Sequence, residues 1–199
     1  MLHIELKNKN IVLASASPRR ADILKRVGIN FVQIPANVNE DICQSDYLNP
    51  RKYVRNLAEV KCETIKNKFS NDCIVVAADT TVYINKTILG KPQDRIEAFN
   101  YLKLLSNQTH TVYTGLAISY KDCIISEIAK SSVKFYELSD NEIKNYIETK
   151  EPLDKAGAYG IQGFGSQFIE SIKGCYFNVM GFPISLFYKM IHRVLSSES

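Results

Sequence analysis

The sequence has no tryptophan, only three histidines, and no apolar run long enough to span a membrane. A transmembrane helix needs about 20 mostly apolar residues, so we expect no membrane span and no membrane partner. Residues 1–7 lack the apolar stretch of a secretory signal peptide. These absences argue against the membrane-embedded and secreted classes of protein.

Cysteine and histidine are too few and too scattered to form a familiar metal centre. The three histidines stand at positions 3, 110 and 192, and the five cysteines at 43, 62, 73, 123 and 175. No two cysteines have the C-x-x-C spacing of zinc sites, and an odd number does not suit a disulfide framework. We therefore expect free thiols in a reducing compartment, the cytoplasm.

Charge of either sign is not concentrated anywhere in the chain. The formal net charge is +4 and the pI is about 8.7, so nucleic acid is not expected as the main partner. A local site for an anion such as phosphate remains open. The 199 residues are 45% hydrophobic and 23% charged, which indicates a single globular domain over residues 1–199 with a substantial core.

Extended and helical patterns alternate along the chain. Strands are predicted at 11–14, 31–34, 73–78, 82–84, 87–89, 110–119, 123–136 and 168–172. Helices are predicted at 18–27, 50–67, 94–105 and 139–148, and from Pro183 onward. Apolar runs bounded by turn residues and apolar stripes of helical period support these assignments. Their order indicates a mixed α/β sheet with helices on its faces.

The most informative segment is the apolar run 73–78, which stops abruptly at Asp79. A short continuous apolar run indicates a strand buried on both faces. A carboxylate at the carboxyl end of such a strand lies where open α/β sheets place their chemistry. Asp79 could hold a divalent metal or accept a proton from water, or it could simply begin a turn.

The segment Ser15–Arg20 has the features of an anion site. A strand, a serine-rich turn and a helix with Ser17 as its N-cap would present free backbone N–H groups to an anion. Arg19 and Arg20 in the first turn oppose the helix dipole, so they make more sense if they reach a polyanion such as phosphate. The alternatives are a solvated basic pair or a Ser-Pro phosphorylation site.

Two lysines are candidates for contacts with an anion. Lys61 falls on the apolar stripe of the predicted helix 50–67, where a cation must extend to solvent or meet an anion. Lys91 lies in the tripeptide Gly90-Lys91-Pro92. That tripeptide is not part of a G-x-x-x-x-G-K-[ST] phosphate loop, because Asn85 replaces the first glycine. Lys91 is then either a point charge beside phosphates or an exposed loop lysine.

Four of the nine glycines lie within residues 157–165. Their spacing is not G-x-G-x-x-G, so a dinucleotide fingerprint is not supported. The segment is either backbone that bends sharply or approaches a ligand, or a flexible surface loop. Gln162 would present an amide that can pair with the imide edge of uracil or thymine and, when flipped, with cytosine. Glu40, in a polar loop, is of interest as a second metal-facing carboxylate.

Six segments taken together resemble the Maf family of nucleotide pyrophosphatases. They are Leu13–Arg20, Ala78–Thr80, Gly90–Pro92, Tyr113–Gly115, Glu151–Gly163 and Asn178–Pro183. Each is short, but they occur in family order across nearly the whole chain. The resemblance implies a mixed, elongated α/β sheet with a central cleft, related to the folds of inosine-triphosphate pyrophosphatases. It also implies a cytoplasmic homodimer.

The resemblance further implies a house-cleaning hydrolase of nucleotide metabolism that uses Mg²⁺ or Mn²⁺. Such an enzyme converts a nucleoside triphosphate to the monophosphate and pyrophosphate. Asp79 matches the family's proton acceptor, and Asp79 and Glu40 match its metal-facing acids. The other matches are the phosphate-handling residues Arg19, Arg20, Lys61 and Lys91, the substrate-binding residue Ser17, and the specificity positions Arg19, Thr80 and Gln162.

The form Gly160-Ile161-Gln162-Gly163 resembles the subgroup that acts on dTTP and UTP, with modified pyrimidine nucleotides as further candidate substrates. One departure is Phe182, which replaces the usual leucine before Pro183 and lies outside the implied chemistry. Two other functions are compatible with parts of the chain. One is a nucleotide-binding regulator of cell division without turnover. The other is a phosphoprotein or RNA-binding module built on Ser17-Pro18-Arg19-Arg20, which leaves Asp79 and Lys91 unexplained.

Overall fold

Seven strands form one mixed sheet in the computed structural model, which describes residues 1–39 and 49–196. The strands are β1 (Ile11–Leu13), β2 (Val32–Gln33), β3 (Ile74–Ile84), β4 (Thr87–Leu89), β5 (Thr109–Tyr120), β6 (Cys123–Phe135) and β7 (Ile169–Lys173). Their order is β2-β1-β3-β5-β6-β7, with β4 paired to β3 outside this path. Strand β1 is parallel to β2 and β3, whereas the other pairs are antiparallel. The predicted mixed α/β sheet is confirmed.

Helices cover the sheet, and the described part of the chain contains seven of them. They are α1 (Leu2–Glu5), α2 (Pro18–Arg26), α3 (Pro50–Lys66), α4 (Arg95–Leu105), α5 (Asp140–Glu148), α6 (Tyr176–Val179) and α7 (Ile184–Ser196). The same described residues contain three short 3₁₀ turns, at Glu151–Asp154, Ala156–Ala158 and Phe164–Phe168. The five long helices confirm the prediction. Helices α1 and α6 were not predicted, because a helix of about one turn is too short to show a 3.6-residue period.

Side-chain caps begin three of these helices near their predicted starts: Asn49 caps α3, Asp94 caps α4 and Ser139 caps α5. The Asn49 carboxamide oxygen accepts hydrogen bonds from the backbone N–H groups of Arg51 and Lys52, both at 3.2 Å. At the start of α5, Ser139 Oγ accepts from the Glu142 N–H at 3.3 Å, and the Glu142 carboxylate accepts from the Ser139 N–H at 2.8 Å. Each cap of this kind stabilises a helix by about 1 kcal/mol. The local sequence therefore determines where these helices begin.

Strand β3 is longer than the sequence predicts. The apolar run 73–78 was expected to end at Asp79, with a separate strand at 82–84. Instead Asp79 pairs with Gly115 and the ladder with β5 continues to Tyr83. Pairing with the long antiparallel strand β5 thus keeps the backbone of β3 extended past Asp79. Asp79 nevertheless lies beyond the end of parallel β1, whose last residue, Leu13, pairs with Val76.

The apolar run in β3 is buried on both faces, as predicted. Ile74, Val76 and Ala78 pack into the core that contains helices α2 and α7. Val75 and Ala77 point the other way, into a cluster with three residues of helix α3: Ala58, Cys62 and Ile65. Burial of a Val or Ile side chain of this size contributes about 1.5–3 kcal/mol. The strand is therefore a rigid support for Asp79 at the point where its neighbour β1 stops.

Helix α3 lies directly against the sheet because residue 115 has no side chain. A Cβ built on Gly115 would lie 2.1 Å from the Val54 carbonyl oxygen and 2.8 Å from the Arg55 nitrogen. Gly115 is also the strand partner of Asp79. Because Gly115 is paired with Asp79, this close packing places helix α3, which carries Lys61, next to Asp79.

Two further expectations concern the chain as a whole. In residues 1–39 and 49–196, no helix combines the length and apolar character needed to cross a bilayer. The four cysteines in this part of the chain, at 62, 73, 123 and 175, are free thiols, as expected.

Candidate active site

A cleft of about 660 Å³ opens at the edge of the sheet beyond the end of β1. Segments 14–20, 79–82, 90–91, 154–156, 159–163 and 179–181 line it. It brings together eight of the nine predicted site residues: Ser17, Arg19, Arg20, Lys61, Asp79, Thr80, Lys91 and Gln162. The ninth, Glu40, lies outside the described residues. Residues far apart in the sequence therefore converge on one concave surface, the usual form of a small-molecule site.

A nearly buried ion pair forms part of the cleft wall. The Lys61 ammonium lies 2.6 Å from the Asp79 carboxylate, and their side chains are only 12% and 11% exposed. The expectation that Lys61 meets an anion on the apolar face of α3 is met by this contact. Two charges held in such a place pay a desolvation cost that their attraction must offset. The pair keeps a charged carboxylate in a fixed place beside the cleft.

The N-terminus of helix α2 faces the same cleft. Ser17 occupies the predicted N-cap position, but its hydroxyl makes no capping bond to the helix. Pro18 at the first helical position has no N–H to satisfy. The Ser17 N–H itself donates to Ser15 Oγ at 3.2 Å, which shapes the turn before the helix. The helix thus presents its positive end to the cleft, as an anion site requires.

The two neighbouring arginines have different surroundings. Arg20 donates hydrogen bonds from Nε to the Gly181 carbonyl at 2.8 Å, from Nη1 to Ser15 Oγ at 3.0 Å and from Nη2 to Thr80 Oγ1 at 3.2 Å. Arg20 therefore joins three walls of the cleft. Arg20 thus has a structural role in the cleft wall in addition to the phosphate binding that the sequence predicts.

Arg19 reaches across the opening of the cleft. Its Nη1 donates to Asp154 Oδ2 at 3.0 Å, and Lys155 Nζ contacts the other oxygen of Asp154 at 2.6 Å. Burial would raise the pKa of the Asp154 carboxyl, but the hydrogen bonds from Lys155 and Arg19 outweigh it and lower this pKa. Sequence reasoning did not single out Asp154 or Lys155. Their place in the charged stretch just before the glycine-rich segment was the available signal.

Thr80 connects the cleft to a buried polar chain behind it. Its Oγ1 lies 3.0 Å from Thr114 Oγ1, and Thr114 donates to the Asn178 carbonyl at 3.2 Å. Thr114 and Asn178 are fully buried, and the Asn178 amide donates to the Val112 carbonyl and to Ser131 Oγ. The chain holds the Thr80 hydroxyl in place. It was missed because it depends on pairing between distant strands.

Lys91, just after β4, is exposed and lines the cleft. The predicted strands 82–84 and 87–89 pair as an antiparallel hairpin before it, with Ile84 opposite Thr87. Asn85 and Lys86 take left-handed backbone conformations, with φ of 48° and 64°, as a tight two-residue turn requires. The hairpin carries Lys91 to the cleft, where its ammonium can approach a bound anion.

The glycine-rich segment is an ordered wall of the cleft. Gln162 is exposed on it, and within the described part of the chain its amide makes no hydrogen bond. Ile161 beside it is buried in the core with Met180 and Phe182. The segment therefore does not behave as the flexible loop that the sequence left open, and it presents the Gln162 amide to the cleft.

Among the residues that the structure describes, the cleft offers few protein ligands for a metal ion. It suits a cation that is also coordinated by the phosphates of a bound ligand. No three His, Cys, Asp or Glu side chains cluster as a metal site within residues 1–39 and 49–196. Asp79 is one carboxylate at the cleft. A magnesium ion is usually held by one or two carboxylates together with substrate phosphates. These residues therefore fit an ion that completes its coordination with a phosphorylated ligand.

Comparisons with known proteins agree with this geometry. The family model described as "Maf-like protein" matches residues 10–194. A protein named dTTP/UTP pyrophosphatase from Caldicellulosiruptor saccharolyticus is 45% identical over 191 residues, which cover 94% of this chain and 95% of that protein. Proteins of the same name from Thermosipho melanesiensis and Clostridium botulinum are 46% and 43% identical, covering 92% and 93% of this chain. The family-model match spans every segment that lines the cleft.

Proposed function

The chain belongs to the Maf-like protein family, and from that premise we propose that it hydrolyses dTTP and UTP to the nucleoside monophosphate and pyrophosphate. The relatives named dTTP/UTP pyrophosphatase match it over nearly their whole length. The observation that carries the proposal is the Lys61–Asp79 pair at 2.6 Å, which places a fixed carboxylate at a cleft lined with cationic groups.

Asp79 acts in this proposal as the proton acceptor. Water attacks the α-phosphorus, a new P–O bond forms, and the bond from the α-phosphorus to the bridging oxygen breaks. Asp79 takes the proton that the water loses, and pyrophosphate leaves. A positioned general base typically contributes about 10²–10⁴-fold. Lys61 fixes the carboxylate from the helix side, and β3 fixes it from the sheet side.

The cationic groups of the cleft act on the triphosphate. Arg19, Lys91 and the first residues of α2 all line the cleft, and α2 turns its positive N-terminal end toward it. Charge develops on the departing pyrophosphate in the transition state, and groups already in place stabilise it without reorganisation. Arg20 contributes through its hold on Ser15, Thr80 and the Gly181 carbonyl.

A divalent cation, Mg²⁺ or Mn²⁺, belongs to the proposal, with Asp79 and Glu40 as the acids that would hold it. Such an ion polarises a phosphoryl oxygen and lowers the pKa of bound water. Arg19, Thr80 and Gln162 would distinguish the nucleotides, since all three lie at the cleft. By the same family argument we infer a cytoplasmic homodimer.

The test is pyrophosphate release from a panel of nucleotides. The purified protein is incubated with Mg²⁺ or Mn²⁺ and dTTP, UTP, CTP, GTP, 7-methyl-GTP or ITP, and pyrophosphate is measured against orthophosphate. The Asp79→Asn variant should bind dTTP but lose at least about 10²-fold in turnover. Asp122→Asn is the matched control, because it makes the same change in an exposed turn between β5 and β6.

The outcomes separate the proposal from its alternative. Pyrophosphate from dTTP and UTP, lost in Asp79→Asn and kept in Asp122→Asn, is the expected result. Normal turnover by Asp79→Asn would remove this residue from the mechanism. Binding of dTTP without any pyrophosphate release by the wild-type protein would favour the regulator without turnover. Loss of activity with a chelator, restored by added Mg²⁺ or Mn²⁺, checks the metal requirement.

A further inference from the structure

The glycine-rich segment is wound around one carboxylate, that of Glu151. Its Oε2 accepts the backbone N–H of Phe164 at 2.8 Å, and its Oε1 accepts the N–H of Gly165 at 3.3 Å. The Tyr146 hydroxyl donates to Oε1 at 2.9 Å and in turn accepts the N–H of Gly160 at 3.1 Å. Glu151 and Tyr146 therefore hold the backbone on both sides of Gln162.

Two glycines of this segment, Gly160 and Gly163, lie directly against the same carboxylate. A Cβ on Gly163 would lie 2.2 Å from Glu151 Oε2, and a Cβ on Gly160 would lie 2.8 Å from Oε1. A Cβ on Gly165 would lie 2.6 Å from the Tyr146 hydroxyl. At Gly160 the nearest atom to such a Cβ is Lys155 Cε at 2.7 Å, so a side chain at any of these three positions would force the neighbouring groups to shift. The sequence allowed for backbone in this segment that approaches a ligand closely. In the structure this backbone closely approaches side chains of the protein itself.

The strength of these contacts follows from charge and burial. Hydrogen bonds to an ionised carboxylate are about twice as strong as those between neutral groups. Tyr146 is buried, and its burial, together with the neighbouring carboxylates, raises the pKa of its hydroxyl, so that it stays a donor to Glu151. Glu151 is itself positioned, because Lys155 Nζ donates to its backbone carbonyl at 2.7 Å.

We propose that Glu151 is the positioning residue for Gln162: its carboxylate sets the path of residues 160–165 and thereby the preference of the cleft among nucleobases. This inference rests on the proposed function, since it names what controls the specificity of that site. Glu151 does not act on the phosphates in this scheme. Its loss should therefore change which nucleotide is preferred much more than the rate at which pyrophosphate leaves.

Glu151→Gln is the sharpest variant. Glutamine has nearly the same shape but only one acceptor oxygen, and its NH₂ group adds two donors. In either orientation of the amide, an N–H of the side chain faces a backbone N–H, of Phe164 or of Gly165. We expect the ratio of kcat/KM for dTTP over CTP to fall about tenfold, in line with residues that orient a ligand-contacting group. The kcat for dTTP should stay within about threefold.

The matched control is Glu148→Gln, which removes the same charge from an exposed side chain paired with Arg95. It should leave both the nucleotide ratio and kcat unchanged. A second test combines Gly163→Ala with Glu151→Ala. The alanine at 163 collides with the Glu151 carboxylate, so its effect on the nucleotide ratio should disappear when that carboxylate is absent. Independent, additive effects of the two changes would overturn the proposal.

Amide hydrogen exchange at Phe164 and Gly165 supplies a readout that does not depend on activity. Exchange at these two N–H groups should be faster in Glu151→Gln than in the wild type and unchanged in Glu148→Gln. If the wild type releases pyrophosphate but Glu151→Gln keeps the wild-type nucleotide ratio, only the present inference fails. If the wild type releases none, the proposed function fails, and equal exchange in both proteins would then overturn the role of Glu151 as well.

Discussion

Replacing Gly115 with alanine should push helix α3 away from the sheet beside the candidate catalytic pair. The new methyl group would lie 2.1 Å from the Val54 carbonyl oxygen and 2.4 Å from its carbon, whereas ordinary contacts begin near 3.4 Å. Because both neighbours are backbone atoms, no side chain can turn aside to make room. The helix has to recede by about 1 Å, as in other overpacked interiors.

The cost follows from this displacement. Overpacking typically destabilises by about 1–3 kcal/mol, and a backbone collision belongs at the upper end. For a domain of 150–250 residues, each kcal/mol lowers the melting temperature by roughly 2–4 °C, so we expect a fall of about 6–12 °C. Lys61 lies on the same helix and moves with it. A misplacement of about 1 Å at a catalytic group can cost about 100-fold in rate.

The assay is thermal unfolding together with dTTP hydrolysis below the melting temperature. Gly90→Ala is the control for stability, because a Cβ there meets nothing within 4 Å, and its melting temperature should match the wild type. A Gly115→Ala protein that melts with the wild type would refute the packing argument. A destabilised variant with full kcat would instead refute the link between helix position and the Lys61–Asp79 pair.

Two other predictions follow from single residues. Burial lowers the pKa of His110 from 6.5 to about 4; the unfolded chain then binds a proton before the folded one does, so stability should fall by about 3 kcal/mol as pH drops from about 6.5 to 4. Urea unfolding at several pH values measures this loss of stability. The His110→Gln variant should not show the loss, and an identical pH dependence of stability in both proteins would contradict the prediction. Gln162→Ala should reduce the preference for dTTP over CTP more than it reduces pyrophosphate release, and an unchanged substrate ranking would count against its role.

Much of the fold could be predicted because its signals are local. The helix stripes, the Asn49 cap, the capping box at Ser139 and the Asn85-Lys86 turn each depend on residues within a few positions of one another. Lys61 is the clearest case for the site. A cation on an apolar helix face either extends to solvent or meets an anion, and the structure shows the second, with Asp79 as the anion.

Other features could not be predicted because they depend on contacts between distant segments. The continuation of β3 through Asp79 requires the ladder with β5, which is more than 30 residues away in sequence at Gly115. The Arg19 contact with Asp154 joins residues separated by 135 positions. A charged residue such as Glu151 looks ordinary in the sequence until backbone from the glycine-rich segment is folded around it.

The sequence by itself determined the order of the five long helices and of most strands. It also indicated which residue types could bind phosphate, accept a proton and pair with a base. Periodicity, capping and the chemistry of single side chains act over short distances, so they can be recognised in one segment at a time. Only the tertiary structure decided which of these residues share a cleft and which partner each one takes. The cleft and its partners depend on where each strand ends relative to its neighbours and on how closely two backbones can approach. Strand β1 ends at Leu13, before the level of Asp79, and helix α3 packs directly against Gly115.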